Sequence, residues 1–203
     1  MILKNYYYFF IKGIPDKTCD AIIKKFYSKK LDKGTIKGGS IKVRNSDVMF
    51  SDDPELYDII NPFIHQANKE AGWNFQWDFT ESFQFTKYKL NQYYNWHQDS
   101  SPECYPDDHR YVNYRGKYRK LSAVVALSDD SEYKGGEFQM DFRDKTMKDK
   151  KEIKDVRRIV TIKELRQKGT VIVFPSFMWH RVKPVISGTR YSLVSWSLGA
   201  PFK

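Results

Sequence analysis

The sequence has few cysteines and no long run of hydrophobic residues. Its two cysteines, Cys19 and Cys104, form no CxxC pair and lie far apart, which predicts free thiols in a reducing compartment. Lys4 and Lys12 interrupt the apolar stretch at the amino terminus. That stretch is too short to span a membrane and lacks the cleavage site of a signal peptide. We expect it to form a strand in a soluble, cytoplasmic protein that does not associate with membranes.

Internal repeats and low-complexity linkers are also lacking, which favours a single domain over residues 1–203. A chain of this length can bury a core, and aromatic residues make up 16% of it. The formal net charge is +10, which fits a nucleic-acid partner, an acidic protein or a small anionic ligand. Because the lysines are scattered along the chain, we favour general use of lysine over a nucleic-acid arm.

Hydrophobic periodicity predicts two helices in the first third of the chain. The first helix is expected to be capped by Asp16 and to end within residues 31–34. The second is expected to begin at Asp53-Pro54 and to end at Gly72. Pro62 lies inside the second helix and is expected to kink or split it.

Beyond residue 75 the period changes to two, which is typical of strands. Strands are predicted over residues 83–88, 121–127, 137–142, 170–174 and 191–198. Turn signals rather than helices separate these strands, which favours a sandwich or barrel. The fold class is therefore mainly β (α+β), with a helical support region over residues 1–75 and a β core over residues 76–203. The highly charged residues 143–168 are expected to be a solvated excursion between strands.

The stretch YNWHQDS places His97 and Asp99 two residues apart. In an extended chain, residues i and i+2 point to the same face, so a nitrogen and an oxygen donor project together. His180 supplies a third donor, because it follows a predicted strand and the turn Pro175-Ser176. Two histidines and one carboxylate form the facial triad of non-haem Fe(II) oxygenases, which leaves coordination positions open. The same three ligands also suit a catalytic zinc.

Arg190 lies ten residues after His180, at the start of the last predicted strand. A guanidinium presents a planar fork that matches a carboxylate. Burying that charge without a protein partner would be costly, so Arg190 next to a metal implies an anionic ligand. A dicarboxylate that chelates the metal at one end and meets Arg190 at the other fits this need, and 2-oxoglutarate is such a molecule.

The other two histidines are assigned no role. His65 lies on the second predicted helix, and His109 lies in the loop of residues 100–119. This loop is rich in tyrosine and arginine and directly follows the candidate ligands. Loops of this length in compact domains are often lids, and such a lid suits a peptide more than a small metabolite. A plain surface loop is the alternative.

Taken together, these residues resemble the Fe(II)/2-oxoglutarate-dependent dioxygenases, and within them the prolyl 4-hydroxylase-like and PKHD-type hydroxylases. The resemblance covers residues 83–199. It rests on the stretches FTKYKLNQYYNWHQD, LSAVVALSDDSEYKGGEF and GTVIVFPSFMWHRVKPVISGTRYSLVSW. It implies a double-stranded β-helix (jelly-roll) core that is braced by the amino-terminal helices.

For the site, the resemblance implies Fe(II) bound by His97, Asp99 and His180. It implies that Arg190 binds the far carboxylate of 2-oxoglutarate and that the Tyr88 hydroxyl assists there. O2 completes the set of reactants, and ascorbate is the expected reductant.

Two further aromatic residues, Trp196 and Tyr94, are expected to line the substrate pocket. For Trp196, as for Tyr88, a place in the core is the alternative. The residues Gly135, Gly136 and Glu137 are expected to shape a turn rather than to take part in chemistry.

The function implied is hydroxylation of a prolyl residue in a peptide or protein, coupled to conversion of 2-oxoglutarate to succinate and CO2. Alternatives are hydroxylation of a free amino acid, demethylation of nucleic acid by an AlkB-like enzyme, and a non-enzymatic β-fold that binds metal or peptide. AlkB-like proteins usually carry a second arginine in the last strand, and none follows Arg190 there. A zinc hydrolase would give Arg190 no task.

Overall fold

The structure, a computed structural model, describes residues 3–34, 43–142 and 159–202 of the chain. The α-helices in these ranges are α1 (Asp16–Tyr27) and α2 (Pro54–Glu70). Short 3-10 helices lie at Val112–Tyr114, Asp130–Glu132 and Lys163–Arg166. The strands are β1 (Tyr8–Phe10), β2 (Asp32–Lys33), β3 (Arg44–Asn45), β4 (Asp47–Ser51), β5 (Phe79–Thr80), β6 (Phe83–Tyr88), β7 (Tyr93–His97), β8 (Tyr118–Ala126), β9 (Tyr133–Gly135), β10 (Phe138–Asp141), β11 (Ile159–Thr161), β12 (Val171–Pro175), β13 (Trp179–Val182), β14 (Val185–Gly188) and β15 (Arg190–Gly199).

Two antiparallel sheets form the body of the protein. The larger has the order β1-β12-β8-β15-β6-β4-β2, with β5 paired to β15. The smaller has the order β11-β10-β13-β7-β3, and β14 pairs with β9 as a separate ribbon. Val124 and Ala126 of the larger sheet pack in one cluster with Phe138, Met140 and Val182 of the smaller sheet. Two facing sheets around this shared core confirm the mainly β, jelly-roll architecture.

Strand β8 runs through the centre of the larger sheet and is buried on both faces, as its apolar sequence predicts. Its side chains alternate between two cores, as the period of a strand requires. Leu121, Ala123 and Val125 pack toward the helices. Val124 and Ala126 pack toward the smaller sheet. Strand β8 therefore separates the bracing layer from the space between the sheets.

The two helices cover one face of the larger sheet. Helix α1 buries Cys19, Ile22 and Phe26, and the ring of Phe26 lies 5.2 Å from that of Phe85 on β6. Helix α2 buries an apolar stripe made of Leu56, Ile60, Ile64 and Ala67. The helices thus brace the sheet as expected.

The first helix differs from its prediction at both ends. Pro15 holds the N-cap position without a side-chain cap, and Asp16 is the first helical residue. The helix ends at Tyr27 rather than within residues 31–34. The chain beyond it is drawn into the sheet instead, because Asp32–Lys33 pairs with β4. Pairing with a distant strand here overrides the helical pattern of the local sequence.

The second helix begins as predicted, with the Asp53 side chain accepting from the backbone N–H of Glu55. It is not split at Pro62 but runs on to Glu70. A proline inside a helix removes one backbone hydrogen bond. Ile60 and Ile64 flank this position and are both fully buried, and their packing holds the two halves together.

Strands also occur in the first third of the chain, where only helices and one amino-terminal strand were expected. Strand β1, at that amino terminus, pairs with β12, and β4 pairs with β6, so both belong to the larger sheet. The boundary at residue 75 therefore does not separate helices from strands. Of the charged stretch 143–168, residues 143–158 lie outside the described part of the chain, and Ile159–Thr161 forms β11.

Both cysteines are free thiols, as predicted: Cys19 is buried and Cys104 is exposed. In the described ranges, neither helix combines the length and the hydropathy needed to cross a membrane.

The contact between α1 and the larger sheet should contribute strongly to stability. Phe85 is fully buried between the rings of Phe26 and Tyr191. We expect Phe85→Ala to lower the free energy of unfolding by about 3–5 kcal/mol, because it removes a buried ring and leaves a cavity. Urea denaturation followed by circular dichroism measures this change. Phe50→Ala is the matched control on neighbouring β4, where the ring is 57% exposed, and should change stability by less than about 0.5 kcal/mol.

Candidate metal centre

Strands β7 and β13 bring the two candidate histidines together. They pair antiparallel with His97 directly opposite His180, and the two ring centroids are 4.1 Å apart. The next pair is Tyr94 opposite Val182, so β7 uses one more residue than β13 over this interval. This is a β-bulge, which re-aims side chains near functional sites. As a result, Tyr94 and His97 face the same cavity.

Asp99 follows the end of β7 and is held by the backbone. Its N–H and that of Ser100 both donate to the carbonyl oxygen of Ser176, at 2.9 and 3.0 Å. One carboxylate oxygen, Oδ1, lies 3.6 Å from Nε2 of His97. The other, Oδ2, lies 3.5 Å from Nε2 of His180. The three predicted ligands therefore meet, with their donor atoms all within 4.8 Å of one another.

Backbone carbonyls orient both imidazoles. Nδ1 of His97 lies 2.8 Å from the carbonyl oxygen of Asn95, and Nδ1 of His180 lies 2.9 Å from that of Met178. A carbonyl oxygen only accepts, so Nδ1 carries the proton in each ring. The lone pair of each Nε2 is then directed at the shared space, as in metal-binding histidines.

The charge states also suit a divalent cation. Burial alone would raise the pKa of Asp99, but His180, His97 and Arg119 together hold that pKa well below its usual range. Burial, with a contribution from His97, lowers the pKa of His180 to about 4. Near neutral pH, Asp99 is therefore ionised and His180 is neutral. Metal ions bind these forms of the two side chains.

A cavity of about 380 Å³, including its open mouth, lies between the two sheets at the three candidate ligands. Its lining residues are Gln84, Tyr88, Tyr94, His97, Asp99, Val124, Phe138, His180, Val182, Arg190, Ser192, Val194 and Trp196. Every residue that the sequence assigned to a site is among them. Such a volume is typical of sites for small molecules.

Arg190 shows that the cavity is built for an anion. The residue is only 2% exposed, and Nη1 donates to Ser192 at 3.3 Å. Nη2 is buried and has no hydrogen-bond partner. A buried guanidinium left this way is costly unless a ligand completes it. Tyr88, its cross-strand partner, lies with its ring 5.5 Å from the guanidinium carbon, and burial raises the pKa of Tyr88, which keeps the hydroxyl protonated.

The Gly135-Gly136 turn contributes space rather than chemistry. Both glycines have positive φ angles, +75° and +63°, which other residues rarely adopt. A Cβ at Gly136 would lie 3.1 Å from Cδ of Arg190. The turn expected from the sequence is thus present, and it leaves room for the stem of the arginine.

A buried ion pair next to the cavity was not anticipated from the sequence. Nε and Nη2 of Arg119 both donate to the carboxylate of Glu81, at 2.6 Å each. The guanidinium carbon of Arg119 also lies 4.0 Å from the Trp196 ring. Tyr105 donates its hydroxyl to the same carboxylate at 3.2 Å. The signal in the sequence was a charged residue next to each of two predicted strands.

The two histidines without an assigned role lie away from the cavity. His65 is exposed on α2 and stacks on Trp77 at 4.5 Å. His109 packs in the loop of residues 100–119 against the rings of Tyr105 and Tyr114, at 5.4 and 4.9 Å. This loop is joined to the cavity wall through Tyr105, and its function as a lid stays a prediction.

Comparison with known families agrees with the geometry. Residues 83–198 match the profile of a family described as the 2OG-Fe(II) oxygenase superfamily. A PKHD-type hydroxylase from Psychrobacter sp. (strain PRwf-1) is 29% identical over 112 residues, which are 55% of this chain and 36% of that protein. A PKHD-type hydroxylase from Cupriavidus metallidurans is 27% identical over 112 residues, which are 55% of this chain and 40% of that protein. The match therefore spans less than half the length of each curated relative.

Solved structures with the same fold extend over nearly the whole chain. The viral collagen prolyl hydroxylase of Paramecium bursaria Chlorella virus-1 has a TM-score of 0.65 at 23% identity, covering 97% of this chain and 98% of that one. A Pseudomonas putida prolyl-4-hydroxylase has a TM-score of 0.64 at 17% identity, covering 96% and 92%. A Trichoplax adhaerens prolyl hydroxylase, solved with a hypoxia inducible factor peptide fragment, has a TM-score of 0.67 at 15% identity, covering 96% and 84%. At these identities the likeness shows the fold.

The geometry predicts that the purified protein binds a divalent metal at this cluster. We expect His180→Ala to lower the affinity for Mn(II) by more than the roughly 10–100-fold that loss of an outer-shell partner costs, because a ligand itself is removed. Anaerobic calorimetric titration with Mn(II) measures the affinity. His65→Ala is the matched control, since that imidazole stacks on Trp77 outside the cavity. Equal affinity in both variants would place the metal elsewhere.

Proposed function

The chain belongs to the 2OG-Fe(II) oxygenase superfamily, and we propose that it hydroxylates a prolyl residue in a peptide or protein. Membership of this family implies a dioxygenase that uses Fe(II), 2-oxoglutarate and O2. The observation that carries the proposal is the unpartnered Nη2 of Arg190, which lines the same cavity as the His97, Asp99 and His180 cluster. A ligand that is anionic at one end and binds metal at the other satisfies both features.

We assign His97, Asp99 and His180 as the residues that would hold Fe(II). When bound, the iron supplies the activation of O2 for hydroxylation. The protein contributes an ionised carboxylate and two imidazoles whose Nδ1 protons are held by carbonyl oxygens. These three side chains are fixed before the metal arrives, which reduces the reorganisation needed for binding.

Arg190 and Tyr88 are the proposed binding residues for 2-oxoglutarate. The free guanidinium nitrogen of Arg190 is a donor for the far carboxylate. The Tyr88 hydroxyl stays protonated because burial raises its pKa, even though Arg44 and Arg190 act to lower it. It therefore remains a donor for the same carboxylate. Ascorbate is the proposed reductant that keeps the iron in the ferrous state.

Trp196 and Tyr94 are the proposed walls of the substrate pocket. Tyr94 stacks on His97 with ring centroids 3.5 Å apart. Trp196 is 6% exposed and packs under the guanidinium of Arg119. Large rings held in this way exclude water from the space next to the metal ligands, which protects a reactive centre from side reactions.

Two observations support a peptide rather than a small metabolite as the substrate. The loop of residues 100–119 presents Tyr111 at the surface, half exposed. Through Tyr105, the same loop contacts the Glu81–Arg119 pair at the cavity wall. A structural neighbour, the Trichoplax prolyl hydroxylase, was solved with a peptide fragment. The two free cysteines are consistent with a reducing, cytoplasmic location, which we also propose.

Replacement of Arg190 tests the 2-oxoglutarate site. We expect Arg190→Ala to raise the KM for 2-oxoglutarate by about 10–100-fold, because a hydrogen bond to a charged group contributes about 1.5–3 kcal/mol. Arg190→Lys keeps the charge without the planar fork and should give an intermediate KM. The measurement is succinate formation against 2-oxoglutarate concentration with Fe(II), ascorbate and O2. An unchanged KM in Arg190→Ala would remove this residue from the site.

Substrate-dependent turnover tests the peptide assignment. We expect succinate formation to rise when proline-containing peptides are added, and mass spectrometry to show one added oxygen on a proline. Free proline and methylated single-stranded DNA should not stimulate turnover. His180→Ala should abolish succinate formation in every mixture, because the metal is lost. Stimulation by the free amino acid or by DNA alone would instead favour the corresponding alternative activity, and no succinate under any condition would contradict the oxygenase assignment.

A further inference from the structure

A buried serine interrupts the apolar sequence of β8. Ser122 is fully buried, and its cross-strand partners are Phe174 on β12 and Trp196 on β15. A hydroxyl in such surroundings is costly unless it is hydrogen-bonded. The role of Ser122 is therefore to be sought in the group that it bonds.

That group is the carboxylate of Asp99. The hydroxyl of Ser122 donates to Oδ2 of Asp99 at 2.7 Å, and Oγ of Ser176 lies 2.9 Å from Oγ of Ser122. A serine hydroxyl has a single proton to donate. Because Ser122 uses its proton on Asp99, Ser176 must be the donor to Ser122. The hydrogen bonds thus run in one direction, from Ser176 through Ser122 to Oδ2.

The backbone holds the far end of this chain. The carbonyl oxygen of Ser176 accepts from the N–H groups of Asp99 and Ser100, and its own N–H donates to the carbonyl oxygen of Lys120 at 3.0 Å. Ser176, like Ser122, is fully buried. Both hydroxyls are therefore fixed relative to the carboxylate that they serve.

The position of Asp99 alone does not select one oxygen for a metal. Its two carboxylate oxygens lie almost equally far from the two imidazoles, at 3.6 Å from Nε2 of His97 and 3.5 Å from Nε2 of His180. Carboxylates bind metals through one oxygen or through both. Binding through both would occupy one more of the positions that a facial triad leaves open. The hydrogen bond from Ser122 breaks this symmetry, because it falls on Oδ2.

We propose that Ser122, supported by Ser176, is a positioning residue that keeps Oδ2 of Asp99 occupied, so that a metal ion binds Asp99 through Oδ1 alone. This inference rests on the proposed function, since it concerns the same metal cluster. It assigns to two buried hydroxyls the task of preserving an open coordination position after 2-oxoglutarate has bound. O2 requires that position.

The test counts water on the metal rather than turnover. Mn(II) and 2-oxoglutarate are added anaerobically to the protein, and EPR line broadening in 17O-enriched water reports a coordinated water. We expect the wild type to show a metal-bound water and Ser122→Ala to show none, with an unchanged or higher affinity for Mn(II). Ser122→Thr retains the hydroxyl and should restore the water. Ser176→Ala removes the donor behind Ser122 and should give a partial loss.

The chain offers a matched control in Ser195. It is also buried, in adjacent β15 opposite Ala123, and its hydroxyl has no hydrogen-bond partner. Ser195→Ala should leave the metal-bound water as in the wild type. In parallel, kcat for succinate formation should fall about 10–100-fold in Ser122→Ala, the usual cost of losing an outer-shell partner, and should stay unchanged in Ser195→Ala.

The outcomes separate this inference from the proposed function. The same water signal in wild type, Ser122→Ala and Ser176→Ala would overturn the positioning role while leaving the oxygenase assignment intact. Failure of the wild type to bind Mn(II) would overturn both. If circular dichroism shows that Ser122→Ala is unfolded, Ser176→Ala decides the question, because it leaves the side chain in β8 intact.

Discussion

The site depends on the antiparallel pairing of β7 with β13. Residues directly opposite each other on paired strands are close neighbours, and this register places His97 against His180. The bulge in β7 adds Tyr94 to the same face and directs the chain toward Asp99. Ser176 then anchors Asp99 by its backbone. A change of register by one residue would move one histidine to the other face of the sheet and dissolve the cluster.

Two buried arginines near the cavity show how charge distinguishes structure from function. Arg119 is fully paired with Glu81, so this ion pair is complete within the protein and supports the wall at Trp196. Arg190 is equally buried, yet one of its nitrogens has no partner. Because an unpaired buried charge destabilises the folded state, the protein carries a cost at Arg190 that an anionic ligand would offset. The contrast between the two arginines therefore identifies a ligand site better than burial alone.

The family relationship and the geometry support different parts of the conclusion. The profile match over residues 83–198 shows the superfamily, and the solved structures show the fold over nearly the whole chain. The curated relatives are matched over less than half of their length, so the substrate has to be argued from this protein itself. The cavity, the free donor of Arg190 and the loop next to the Glu81–Arg119 pair carry that argument.

The sequence by itself determined the features that are local. Periodicity predicted the buried faces of both helices and the doubly buried β8, and the pattern His97-Gln98-Asp99 with His180 and Arg190 predicted the residues that line the cavity. Tertiary structure decided the rest. It ended α1 early by pairing Asp32–Lys33 with β4, and it joined Ser122 to Asp99. The reason is that side-chain periodicity reports how one segment faces its surroundings, whereas strand register and hydrogen-bond partners depend on which distant segments meet.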